Sequence, residues 1–193
     1  SFDGVCDANG DVAYPTHHIF PTPVMEIVNT QSDAFYYTEK DIPSDIYNAG
    51  QRVLKAFGAK SRFYHLEFFI LNQDKLGLGK KGDMRVPGGN TADMVNYAHS
   101  INIYKIWADV LTFGRNTWKH YPERMYCAYV GRRHNKWYKH THEEILAKYA
   151  NDLRMFNSLA PALAAAMGDY FYIAVFNSKE EMYNFRDFVE EKW

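Results

Sequence analysis

The sequence predicts an α+β fold with a largely antiparallel sheet and flanking helices. Three observations predict it. Segments alternating in hydrophobicity, of which residues 63–71 are the longest, have the two-residue period of a strand. Two capping boxes, Thr141-His142-Glu143-Glu144 and Ser178-Lys179-Glu180-Glu181, open helices. Strands and helices then follow one another without a regular βαβ beat, which argues against an all-parallel sheet.

Taken in order, Asn9-Gly10 is a hairpin signal between residues 2–7 and 12–14, because both central positions of a type I′ turn need positive φ. Residues 24–29 read as a second short strand region, followed by a polar, tyrosine-containing loop. Ser44 caps a helix to about residue 57, with Ile46, Val53 and Phe57 on one face and Gly58 as its stop. In the 63–71 strand, Phe63, His65, Glu67 and Phe69 share one face, and Tyr64, Leu66, Phe68 and Ile70 the other. A glycine- and lysine-rich loop is expected over 74–83, ending in Met84-Arg85-Val86-Pro87-Gly88-Gly89. Helices follow over 91–99 and 103–113, the second packing Ile103, Ile106, Trp107 and Val110. Residues 123–130 read as a strand, 141–157 as a helix, 170–176 as a buried strand and 178–190 as the terminal helix, with Phe185, Phe188 and Trp193 sealing a core.

Composition sets the class. The 193 residues are 47% apolar and 23% charged, as in an ordinary globular chain long enough to bury a core. A net charge of −1 argues against a protein that works mainly on nucleic acid backbones. The longest nearly apolar run, 159–167, holds a proline and mostly alanines, so no membrane span is expected. Two cysteines suit a reducing compartment, and a cytoplasmic location is the expectation. The 4 Trp, 15 Tyr and 13 Phe exceed what a core of this size needs. The chain enters its first strand at once, with no initiator Met. That layout reads as the back half of a larger protein, the plainer alternative being a processed terminus.

Residues 63–93 carry the chemistry. Glu67 lies in Phe63-Tyr64-His65-Leu66-Glu67-Phe68-Phe69, an aromatic setting in which a lone carboxylate is costly. It shares a face with His65 and needs a cation: Arg85, a lysine or a metal ion. Mg²⁺ takes hard oxygens, typically one or two carboxylates plus substrate phosphates. A structural Glu–Arg pair is the plain alternative. Arg85 precedes Pro87-Gly88-Gly89-Asn90-Thr91, where bare backbone approaches a ligand and a helix begins. Arginine and helix amides suit a phosphate or carboxylate, although a glycine turn before a helix is also common by itself.

The order HLEFF, a polar segment, MRVPGG and TADMVNYAHSINIYKIWADVLTFG resembles the C-terminal subdomain of ATP-grasp ligases, and the opening SFDGVCDANGDV resembles its first strand pair. The resemblance implies a subdomain over residues 1–114, with 115–193 as an α/β appendage. It implies an enzyme that uses ATP and Mg²⁺ to activate a carboxylate as an acyl phosphate for attack by an amine or thiol. Glu67 matches the first metal-binding Glu. Arg85 matches the Arg that binds phosphate or substrate carboxylate and is the catalytic candidate, with Gly88, Gly89 and His65 beside it as nucleotide- or substrate-binding candidates. Counting back from Arg85, the family's Asn falls on Asp83, a second metal candidate, and its second Glu falls on Lys81. In the other alignment, 77–83 is a loop and the second metal strand is missing, and this is the expectation adopted. The family's nucleotide pocket also needs a preceding subdomain, so an N-terminal half or partner subunit is expected, and a homodimer is compatible. The competing function is a non-catalytic binding or assembly remnant of the same scaffold.

Elsewhere, His140, His142, Glu143 and Glu144 read as a helix start before a metal cluster, and His17-His18 as satisfied sheet histidines. The run Arg132-Arg133-His134 to Lys136-Trp137, Lys139 and His140 reads as a solvated hairpin before a polyanion site. Cys127 reads as a packing residue.

Overall fold

The computed structural model describes residues 1–71, 75–119 and 121–193, with side chains described outside residues 70–81. The elements run β1 (Phe2–Cys6), β2 (Val12–Ile19), α1 (Val24–Thr30), β3 (Ala34–Thr38) and α2 (Ser44–Phe57). Next come β4 (Arg62–Leu71), β5 (Lys75–Asp83), α3 (Thr91–His99), α4 (Ile103–Phe113) and β6 (Tyr126–Arg132). The chain closes with α5 (His142–Lys148), β7 (Leu153–Ser158), α6 (Pro161–Met167), β8 (Tyr170–Phe176) and α7 (Lys179–Glu190). The fold is mixed α and β. The pairs β1–β2, β1–β4, β4–β5, β3–β6, β6–β8 and β7–β8 all run antiparallel. Two compact units form: residues 1–18 with 39–123, and residues 19–38 with 124–193. Their boundary does not fall at residue 114.

In the first unit the strand order is β5-β4-β1-β2. Phe2, Cys6, Tyr64 and Leu66 point to one face, where Ile46 and Leu54 of α2 cover them. Val5, Tyr14 and Phe63 point to the other, against Ala92 and Val95 of α3 and Ile103, Ile106 and Val110 of α4. The period of two in β1 and β4 therefore builds a helix–sheet–helix sandwich. Gly58 ends α2 in the left-handed conformation, φ 60°, its N–H bonded to the carbonyl of Lys55 at 3.1 Å.

In the second unit the order is β3-β6-β8-β7. Ala128, Val130, Tyr172 and Ala174 form a core with Ile145 of α5 and Met182, Phe185 and Val189 of α7. Both capping boxes are present as read, at Thr141–Glu144 and Ser178–Glu181. Phe185 is buried and Phe188 packs at the core edge, but Trp193 is 87% exposed and seals nothing.

Several elements differ from expectation. Residues 24–30 form helix α1, ending at Gln31 in the left-handed region. The tyrosine-rich stretch is strand β3, five consecutive buried residues. The helix opened by Thr141 stops at Lys148, and Leu153–Ser158 becomes β7. The glycine–lysine stretch is a strand: β5 pairs with β4 from Lys75 to Asp83, while residues 72–74 lie outside the described residues. The strand taken to be missing is therefore present. Among the described residues no helix is long and apolar enough to cross a membrane.

Candidate active site

The α3/α4-facing side of the first sheet changes character at one end. Asp3 stands opposite His65 in the β1–β4 register and opposite Thr16 in the β1–β2 register. His65 in turn stands opposite Asp83, and Glu67 opposite position 81, in the β4–β5 register. Directly opposed residues share a face. The apolar row Val5–Phe63 thus gives way to a polar row of Thr16, His18, Asp3, His65, Glu67 and Asp83.

The Asp3 carboxylate is 2% exposed and bridges two imidazoles. Its Oδ2 accepts from His18 Nδ1 at 2.8 Å and from Ser1 Oγ at 2.5 Å, and its Oδ1 accepts from His65 Nδ1. Burial alone would raise the Asp3 carboxyl, but the bonds from His18 and His65 outweigh it and hold it well below the usual range. The two rings diverge. Burial dominates at His18 and lowers its pKa. At His65 burial is opposed by Asp3 and then Glu67, which together raise it. His65 Nε2 lies 3.1 Å from Glu67 Oε1, so this ring sits between two carboxylates. Among the described residues, Thr16 Oγ1 and His18 Nε2 are buried without a hydrogen-bond partner.

Glu67 is held by His65, not by Arg85. The Arg85 guanidinium, 57% exposed, donates to Asp83 Oδ2 at 2.9 Å and to the Val86 carbonyl at 3.1 Å. The expected Glu67–Arg85 meeting is thus replaced by two pairs, His65–Glu67 and Arg85–Asp83, brought onto neighbouring strands by the β4–β5 register. After Arg85 the chain turns through buried Pro87 and exposed Gly88 and Gly89 into α3. Gly89 has φ 60°, which a side chain rarely adopts, and a Cβ placed on Gly88 would meet nothing within 4 Å. Thr91 Oγ1 donates to the Gly88 carbonyl at 2.8 Å and closes the turn.

Sequence reasoning missed Asp3, although its signal is the one that marks Glu67: an acid inside a buried strand. Among the described residues no group of three or more His, Cys, Asp or Glu is arranged to hold a metal ion. The donor chemistry of Glu67 and Asp83 does match the one or two carboxylates that Mg²⁺ takes together with phosphate oxygens. Each of these carboxylates instead meets a basic side chain, His65 at Glu67 and Arg85 at Asp83. A cavity of about 380 Å³ in the same unit, lined by Asn9, Asp11, Gln51, Lys55 and Lys60, shares no residue with this row.

The other clusters resolve into packing. His140 stacks on Phe188 and bonds Glu191 at 2.8 Å, while His142 Nδ1 bonds the Tyr172 hydroxyl at 2.8 Å. His17 and His18 are buried strand residues. Arg132 and Arg133 are not solvated: Arg132 donates to the carbonyls of Val189 and His140, and Arg133 to those of Ser32, Ala164 and Ala165. Cys127 is buried and its thiol is pushed up by burial.

No protein-family model matches the sequence, and no curated protein matches it. Solved structures do. The ATPase subunit of phosphoribosylaminoimidazole carboxylase from Aquifex aeolicus aligns over 99% of this chain and 55% of its own, with TM-score 0.65 and 15% identity. The fold is that of the ATP-grasp enzymes. An L-amino acid ligase from Bacillus licheniformis aligns over 98% of this chain and 49% of its own, with TM-score 0.66 and 12% identity. The ATP-grasp match runs through both units, and the chain spans about half the length of each of these proteins. At such identities the likeness is one of fold.

Proposed function

We propose that this chain belongs to an ATP-grasp ligase that activates a carboxylate as an acyl phosphate, using ATP and Mg²⁺, for attack by an amine or thiol. The observation that carries the reading is the face shared by Glu67 on β4 and Asp83 on β5, with Arg85 and the open Gly88-Gly89 turn immediately after it. Glu67 and Asp83 would hold Mg²⁺, which neutralises phosphate charge when bound. Arg85 is exposed and meets Asp83 through one end of its guanidinium, so it can turn its planar fork to a phosphate or carboxylate. The Gly88-Gly89 backbone lets an anionic group approach without a Cβ in the way. His65, beside Glu67, borders the same space. The rest of the nucleotide pocket would come from chain outside these 193 residues or from a partner subunit, a second copy included.

The competing reading, a non-catalytic binding or assembly unit on the same scaffold, has one observation in its favour. The position opposite Glu67 is Lys81, where the ligase resemblance calls for a second Glu. Calorimetric titration of Mg-ATP into the chain, alone and joined to a preceding nucleotide-binding half, separates the two. Binding in the joined form that Glu67→Gln abolishes supports the ligase. Heat-silent titrations in both forms support the binding unit.

A further inference from the structure

We propose that the cleft between the β1–β2 turn and the C-terminal end of α2 is a second binding site, built for an acidic amino acid. The inference stands apart from the ligase reading, because it uses none of the residues assigned there to Mg²⁺, phosphate or carboxylate.

The walls of the cleft are preformed. Asp7 Oδ1 accepts from the backbone N–H groups of Asn9, Gly10 and Asp11 at 2.8, 3.0 and 2.9 Å, which fixes the turn. On the other side α2 ends with the Gly58 N–H on the Lys55 carbonyl and the Ala59 N–H on the Leu54 carbonyl, both at 3.1 Å. The Ser61 N–H then bonds the Asp7 carbonyl at 2.9 Å and ties the two walls together. Ser61 adopts a left-handed backbone there, φ 47°. Gly10, at φ 96°, lies so close to the same connection that a Cβ on it would stand 3.1 Å from the Ala59 carbonyl oxygen. The space left between the walls is about 380 Å³, within the range of small-molecule sites. It lies on the α2 side of the sheet with Leu54 and Ala59, whereas His65 and Glu67 alternate with Leu66 and face the other way.

The lining selects the ligand. Val12, Leu54 and Ala59 supply an apolar patch for methylene groups. Three charged side chains border it: Lys55, Lys60 and Asp11. Among the described residues none of the three is in a salt bridge, either with one another or with any other side chain. Two ammonium groups and one carboxylate, all unpaired around one cavity, complement a molecule with two carboxylates and one ammonium group. The carbonyl end of the 14-residue helix α2 borders the same cleft and also favours the ammonium. A plain dicarboxylate would answer both lysines but bring like charge to Asp11. A neutral amino acid would leave one lysine unanswered. The charged groups are exposed, so binding weakens as salt is added.

The test uses the whole chain, labelled with ¹⁵N, at fixed pH and low ionic strength. Titration with L-glutamate should move the amide signals of Asn9, Gly10, Gly58 and Lys60 saturably, with a Kd below about 10 mM. Glutarate, which lacks the ammonium, and L-glutamine, which lacks the second carboxylate, should each bind roughly tenfold more weakly. Lys55 lies in the last turn of α2 and also serves the helix end, so Lys60→Gln is the variant that removes a charge without touching the helix. It should weaken glutamate binding roughly tenfold and leave the spectrum of the free chain unchanged away from the cleft. Asp11→Asn should weaken glutamate and strengthen glutarate. The proposal is overturned by an absence of saturable shifts, by glutarate binding as tightly as glutamate, or by full affinity in Lys60→Gln. Shifts centred on Glu67 and Arg85 also overturn it, since they would place the amino acid at the candidate active site. None of these readouts involves ATP, so failure of Mg-ATP to bind would remove the ligase reading while leaving this cleft to be judged by itself.

Discussion

Gly50 of α2 lies flat against the ring of Phe2: a Cβ built at Gly50 would stand 2.2 Å from Phe2 Cδ1. Helix propensity and packing make opposite demands at this position. Replacing a mid-helix glycine by alanine gains about 0.5–1 kcal/mol in helix formation. Overpacking a rigid aromatic contact loses typically about 1–3 kcal/mol. Phe2 is wholly buried and flanked by the rings of Tyr47 and Tyr64, so it has no room to yield. Gly50→Ala is therefore expected to lower the stability of the chain by about 1–2 kcal/mol, read from the urea midpoint.

His17 and His18 give the stability a pH dependence whose sign is set by burial. His17 is pushed down to about 4, chiefly by loss of solvent. The unfolded chain protonates this ring near its ordinary value of 6.5 and the folded chain only near 4, so stability falls as pH drops through that window. His18 acts in the same direction. His65 acts oppositely, contributing stability below 6.5 that is lost as pH rises through its raised value. His17→Gln should flatten the urea-midpoint profile between pH 6.5 and 4, removing on the order of 3 kcal/mol of the total change across it. A profile left as steep as the wild type's would show that His17 does not carry it.

Arg133 is a buried staple in the second unit. Its fork reaches the carbonyls of Ser32 at 2.7 Å, Ala164 at 3.1 Å and Ala165 at 2.9 Å, the last two within α6. Lysine has the charge but not the planar spread of donors. Arg133→Lys should cost about 1–2 kcal/mol, because at least one partly buried carbonyl loses its charged donor. Denaturation followed by near-ultraviolet circular dichroism reports it, and a loss under about 0.5 kcal/mol would contradict the assignment.

Arg85 should separate binding from stability. The side chain is exposed, so Arg85→Met is expected to leave the urea midpoint within about 0.5 kcal/mol of the wild type. Mg-ATP or carboxylate binding in the joined protein should weaken by at least roughly tenfold if the guanidinium meets the ligand's charge. Equal affinity for both proteins would assign Arg85 to the Asp83 pair alone.

Local chemistry made much of the fold legible. Thr141 and Ser178 announce helices because their side chains satisfy amides only a few residues away. The β4 faces follow from a strict period of two. Elements decided by distant partners were not legible. Residues 75–83 contain three glycines and three lysines and have little strand propensity, yet β4 supplies a ladder for them. Val24, Ile27 and Val28 favour extended backbone locally, while Ile27 is buried from a helix. At the candidate site, Glu67 and His65 share a face by sequence alone, and Asp83 joins them only through a register that no single strand encodes. Asp3 joins from a strand 62 positions away.

Strand β3 places Phe35, Tyr36 and Tyr37 in sequence long before β6, the neighbour that pairs with them from Cys127 to Gly131. During synthesis at about 5–20 residues per second, the roughly 90 residues between them take on the order of 4–18 s to appear. Throughout that interval an aromatic, uncharged strand emerges from the ribosome with its hydrogen-bonding edge open to other chains. Any shortened version that ends before residue 124 makes the interval permanent, and the insoluble fraction of such a version measures how much the nascent protein depends on a chaperone to bridge the wait.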